Sequence, residues 1–184
     1  MGKTIAIVNQ KGGVGKTTSC VNLAAALTAL GARVLVCDFD PQGNATSGFG
    51  LDKTRSPSVY DVILGDAPIS KAIVNTKWGD VVPANKALSG ATVELIALER
   101  REFRLKDAIE EVKGSYDVIF IDCPPSLELL TLDGLCAADT LLVPVQCEYY
   151  ALEGLSDLLY TVRLAKQRLN PSLELEGVVL TMYD

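Results

Sequence analysis

The sequence predicts an α/β fold in which a mostly parallel sheet is covered by helices on both faces. Two observations predict it. Short apolar runs rich in β-branched residues alternate with longer stretches of helical periodicity along the whole chain, the pattern that parallel pairing with right-handed crossovers requires. Hydrophobic residues make up 48% of the 184, enough for one domain whose strands are buried on both sides.

Taken in order, Thr4 to Val8 reads as a buried strand, and the Ala/Leu-rich stretch Thr17 to Leu30 as a helix ended by Gly31. Arg33 to Cys37 is a second apolar strand. Ala45 to Ser58, rich in Gly, Ser and Thr, reads as a loop, followed by short helices over Val59 to Leu64 and Ile69 to Val74, separated by Gly65 and Pro68. Asp80 to Val82 predicts a short strand. Leu88 to Val112 has helical spacing with a charged face that includes Glu99, Arg100, Arg101, Glu102 and Arg104. Tyr116 to Ile121 is the clearest buried strand, Leu127 to Ala138 is helical, and Thr140 to Val145 is another strand. Between Tyr149 and Leu169 the residues Leu152, Leu155, Leu159, Val162, Ala165 and Leu169 recur at helical spacing until Asn170-Pro171 stops the helix. Leu175 to Met182 reads as a last strand.

Composition narrows the chemistry. Without histidine there is no Ser/His nucleophilic site and most zinc sites are excluded, which leaves positioning and electrostatics as the catalytic means. Cys20, Cys37, Cys123, Cys136 and Cys147 are widely spaced and form no Cys-x-x-Cys pair; four of them sit in apolar surroundings, as reduced core cysteines do. No stretch has the length and apolarity of a signal peptide or membrane span, so a cytoplasmic protein without a membrane partner is expected. A net charge of −6 argues against general nucleic-acid binding, so any DNA contact must come from a local patch.

Residues Gln10 to Thr18 read Gln-Lys-Gly-Gly-Val-Gly-Lys-Thr-Thr, between the first strand and the first helix. That is the context of a phosphate-binding loop, whose backbone N–H groups point at phosphate oxygens with help from the helix N-terminus. The general pattern is Gly, four residues, then Gly-Lys-Thr/Ser. Here it ends at Gly15-Lys16-Thr17, with Gln10 where the first glycine would fall and a second lysine at Lys11. This variant resembles the deviant Walker A of the ParA/MinD group of ATPases. The resemblance implies a three-layer P-loop NTPase fold that binds ATP and Mg²⁺. It implies nucleotide contact by Lys11, Gly12, Gly13, Val14, Gly15, Lys16, Thr17 and Thr18. In it Lys16 holds the β- and γ-phosphates, Thr17 ligates Mg²⁺, and Lys11 crosses a dimer interface to the partner's nucleotide.

Carboxylates complete the reading. Magnesium keeps several waters that need anchoring. Asp122 follows the apolar Val118 to Ile121 as a Walker B aspartate does and is a candidate for that role. Asp38 and Asp40 lie two apart, so in an extended segment both point to one side; one could serve the Mg²⁺ shell and the other orient the attacking water. The string Asp38 to Asn44 resembles a second ParA signature, which ties Asp40 to hydrolysis and leaves Asp38 behind it. Cys123-Pro124-Pro125-Ser126 resembles the segment that senses the γ-phosphate. Pro144 to Gly154 resembles the ParA/Soj branch at a place that abuts the dimer interface.

By this resemblance the chain is a partition switch for a chromosome or plasmid. It would form a homodimer in the ATP state, be stimulated by a ParB-type protein, and hydrolyse ATP slowly. Such relatives bind non-specific DNA and associate with the nucleoid. They continue beyond Asp184, so residues 1–184 are expected to be a single P-loop ATPase domain without the C-terminal portion of those relatives. Three alternatives stand beside this one: a MinD-like membrane switch, an iron-protein-like electron-transfer ATPase with Cys123 and Cys136 as cluster ligands, and a nucleotide-binding fragment without a full cycle.

Overall fold

The computed structural model describes residues 2–148 and 151–183, with the side chains of residues 151–153 excluded. Seven strands form one sheet. In chain order they are β1 (Lys3–Ile7), β2 (Val34–Asp38), β3 (Val74–Thr76), β4 (Gly79–Val82), β5 (Val118–Asp122), β6 (Thr140–Gln146) and β7 (Glu174–Thr181). Their spatial order is β3-β4-β2-β5-β1-β6-β7, and every pairing is parallel except the β3–β4 hairpin.

Residue alternation assigns the two faces. On one face Ile5, Ile7, Val34, Val36 and Phe120 pack with Cys20 and Ala24 of helix α1 (Lys16–Ala29) and with Ala45 of the short helix α2 (Asn44–Gly48). Their neighbours Ala6, Leu35, Cys37, Ile119 and Ile121 point the other way, into the larger core. That core is closed by α3 (Val59–Leu64), α4 (Ile69–Ala72), α5 (Ala91–Leu95), α6 (Arg104–Val112), α7 (Leu129–Ala137) and α8 (Ala151–Arg168). The result is the three-layer arrangement the sequence predicts. Cys20, Cys37, Cys123 and Cys136 are buried free thiols, and Cys147 is exposed.

Three local expectations are corrected. The loop expected from Ala45 contains α2, because the Asp38 carboxylate accepts both the N–H and the hydroxyl of Thr46, each at 2.6 Å, and so organises a first turn. The helix expected over Ile69 to Val74 stops at Ala72, and Val74 starts β3 opposite Val81. That hairpin has no alternating signal of its own; it turns through Lys77-Trp78 into Gly79, whose φ of 118° suits glycine. The helix expected over Leu88 to Val112 is broken into α5, α6 and single 3₁₀ turns. Arg100 adopts a left-handed φ of 54°, which no continuous helix allows. At the far edge of the sheet Leu175, Val178 and Leu180 of β7 are exposed. Tyr149 and Tyr150, within the Pro144 to Gly154 segment, lie outside the described residues.

Candidate functional site

The C-terminal ends of three neighbouring strands build the site. Ile7, Asp122 and Asp38 lie in register across β1, β5 and β2, and the glycine-rich loop leaves from the first of these ends. Ligands of open parallel sheets bind at this edge. Gly13 and Gly15 take φ values of 75° and 91°, and a Cβ on Gly12 or Gly13 would meet no protein atom within 4 Å. The loop therefore opens as a bare backbone concavity, with Gly15 as the N-cap of α1. No side chain caps that helix, so its first N–H groups, left without intrahelical acceptors, face the concavity.

A cleft of about 300 Å³ lies over the loop, lined by Gly13, Lys16, Thr17, Thr18, Asp40 and Pro125 among others. Gln42 and Asn44, within the Asp38 to Asn44 string, also border it, as does Met182, to which no motif pointed. Lys16 is buried, and its ammonium donates to the Lys11 carbonyl at 3.0 Å, across the mouth of the loop. Burial lowers its pKa, while Asp122 and Asp40 pull in the opposite direction. Val14 is buried beneath the loop, where Thr181 donates its hydroxyl to the Val14 carbonyl at 2.9 Å.

The three aspartates differ in surroundings. Asp38 is fully buried, and its carboxylate accepts from Thr46 and, at 3.3 Å, from the Asp40 N–H. Asp40 lies beyond the strand, at the cleft, and accepts from the Gln42 N–H at 2.9 Å. The two-residue spacing therefore does not bring both carboxylates to the cleft: Asp38 is held by Thr46, while Asp40 opens a turn closed by the Gly43 N–H on its carbonyl at 2.8 Å and lines the cleft. Asp122 accepts the Thr17 hydroxyl at 2.7 Å through one oxygen, and its other oxygen is buried with no hydrogen-bond partner. Burial pushes its pKa up to about 7, with a further contribution from Asp38. Burial likewise raises Asp38 to about 6 against the pull of its hydrogen bonds to Thr46.

A buried carboxylate with a free oxygen beside a hydroxyl fits a hard, oxygen-seeking cation. Among the described residues, no three His, Cys, Asp or Glu side chains form a metal cage. A cation here would rest on one hydroxyl, carboxylate-anchored water and the nucleotide, which is how Mg²⁺ is held at phosphates.

Lys11 stands apart from the cleft. Its N–H donates to Asn9 Oδ1 at 2.9 Å, while its ammonium is ion-paired with Glu148. It lines a neighbouring open hollow of about 570 Å³ together with Gln10, Pro125, Ser126, Leu127 and Asp157. Cys123 and Cys136 are each 1% exposed, so neither reaches a surface where a cluster could bridge two subunits.

Fold and loop together define a P-loop nucleotide-binding domain. Residues 2–175 match the AAA domain family. The chain is 57% identical over 187 residues to the sporulation initiation inhibitor protein Soj of Bacillus subtilis, covering 100% of this chain and 74% of that protein. It is 53% identical to the chromosome partitioning protein ParA of Myxococcus xanthus, covering 100% of this chain and 66% of that one. Among solved structures, cobyrinic acid a,c-diamide synthase from Mycobacterium smegmatis with bound ADP and magnesium superposes with a TM-score of 0.96 at 46% identity, covering 100% of this chain and 76% of that one. The chain belongs to the AAA domain family and, within it, to the ParA/Soj-type ATPases.

Proposed function

We propose that this protein is an ATP-driven partition switch acting in chromosome or plasmid segregation. The observation that carries the proposal is the placement of Lys16, Thr17 and Asp40 around one cleft at the sheet edge, with Asp122 accepting the Thr17 hydroxyl beside it. Supporting it are relatives named for chromosome partitioning and a solved relative named with ADP and magnesium. The solved relative carries a synthase name; the partition reading rests on the two sequence relatives, which are more similar to this chain.

In this reading the loop N–H groups and Lys16 hold the β- and γ-phosphates and stabilise the charge that develops on the transferred phosphoryl group. Gly12, Gly13, Val14, Gly15 and Thr18 supply the backbone of that cradle. Thr17 and Asp122 would hold a Mg²⁺ ion and its waters, and Asp40, which lines the same cleft, would add a carboxylate to that shell. Bound Mg²⁺ supplies charge neutralisation at the phosphate oxygens. Asp40, the carboxylate that faces the cleft, orients the attacking water. Asp38 holds α2 and the Asp40 backbone in place from beneath. Lys11 reaches the nucleotide of a second subunit in the ATP-bound homodimer. A ParB-type protein accelerates an otherwise slow turnover, and the dimer binds DNA without sequence preference in the cytoplasm, over the nucleoid.

Lys16→Ala should abolish ATP binding in a fluorescent-nucleotide titration. Asp40→Ala should keep binding but lower phosphate release by about a hundredfold. Unchanged turnover in Lys16→Ala would sink the model. Co-sedimentation with non-specific DNA should require ATP; retention without nucleotide would count against the switch.

A further inference from the structure

We propose that Glu148 is a latch that holds the Lys11 side chain on its own subunit until a second, nucleotide-bound subunit competes for it. The inference rests on the two-subunit reading of Lys11 and assigns its regulation to a residue outside the glycine-rich loop.

The Lys11 ammonium and the Glu148 carboxylate form an ion pair, with side chains 41% and 44% exposed. The pair belongs to a lacing between the mouth of the loop and the connection from β6 to α8. Asn9 donates to the Pro144 carbonyl at 2.8 Å and accepts the Lys11 N–H. Gln146 donates to the Gly13 carbonyl at 3.3 Å. Gln10 donates to the Gly154 carbonyl and to Asp157 Oδ2, both at 3.2 Å. Glu148 is therefore carried on a segment already fastened to the loop on both sides of it. Its carboxylate is held in place for Lys11, so the pair forms with little further loss of backbone freedom. Asp157, the other carboxylate in this lacing, is occupied by Gln10.

A lysine that must leave its own subunit first has to release this partner. Because the pair is half-exposed, water and salt weaken it, and the latch is correspondingly light. A light latch suits a switch: it biases the lysine homeward without preventing release when a more strongly charged acceptor, a nucleotide phosphate, is presented by a second subunit.

The test uses the full chain in two arms. In nucleotide-free protein, acetylation of lysines by an N-hydroxysuccinimide ester, read by mass spectrometry, should label Lys11 about threefold faster in Glu148→Gln than in wild type, with slow labelling restored in Glu148→Asp. In the second arm ATP is added, and the protein concentration at half-dimerisation, measured by light scattering, should fall about threefold in Glu148→Gln, with a smaller difference at high salt. Equal Lys11 labelling in wild type and Glu148→Gln would overturn the ion pair. Faster labelling with unchanged or weakened dimerisation would overturn the latch alone and make Glu148 a contributor to the dimer or a bystander. A wild type that stays monomeric with ATP would overturn the two-subunit reading together with the latch.

Discussion

Asp122 and Asp38 are neighbours in register on adjacent strands, both without solvent, and both are raised above the usual carboxylate range. Between about pH 4 and about pH 7 the folded protein therefore binds more protons than the unfolded chain, so these groups favour the fold most at acid pH and progressively less as pH rises. Asp133, raised by burial, acts in the same direction. Asp117, held down to about 2 by Arg33, titrates below this window and does not alter the slope. The nucleotide-free protein should consequently have a lower urea midpoint at about pH 7.5 than at about pH 5.5. Asp122→Asn should remove on the order of 2 kcal/mol of that difference. A midpoint that rises with pH in the wild type would contradict the assignment. Of these residues Asp122 was legible in sequence, because an apolar strand run leads directly to it. The spacing of Asp38 and Asp40 did not separate their environments, and only the resemblance of the Asp38 to Asn44 string anticipated the difference: a spacing of two puts both side chains on one side, and here Asp38 is held by Thr46 while Asp40 lines the cleft.

Elements are joined by residues that sequence treats as punctuation. Asn170 reads as a helix stop before Pro171, yet its side-chain amide is buried and donates to the carbonyls of Leu135 and Ala138 at 2.9 and 2.8 Å. Those carbonyls belong to the end of α7, which has no further helical N–H to offer them. One asparagine thus closes α7 and ties it to the end of α8. Asn170→Ala should lower stability by about 2 kcal/mol in urea unfolding, because buried acceptors lose their donor, while nucleotide affinity stays within about twofold of wild type. A large loss of affinity at unchanged stability would show that the effect reaches the cleft instead. The strands and the long helices were readable because their periodicities, two and 3.6, persist over a whole element. The strand β4 was expected as Asp80 to Val82, but its partner β3 and the break at Arg100 were not, since a strand of three residues and a single left-handed residue leave no period to read.

At the scale of the molecule, the site as one chain presents it has a cradle, a buried carboxylate and a lysine directed away from its own cleft. Lys11→Ala should therefore leave ATP binding nearly intact and abolish ATP-dependent dimerisation in light scattering. Intact dimerisation in that variant would remove the two-subunit reading. By itself the sequence determined the layered α/β class, the glycine-rich loop and its lysines, and the aspartates at strand ends, because each is written in a local pattern of polarity or backbone freedom. Only the tertiary structure decided that Thr46 seals Asp38 beneath the cleft, and that Lys11 is paired with Glu148, 137 residues away in the chain. Those outcomes depend on strand order and on where distant segments are fastened together. Such placement is set by packing across the sheet, and no local pattern records it.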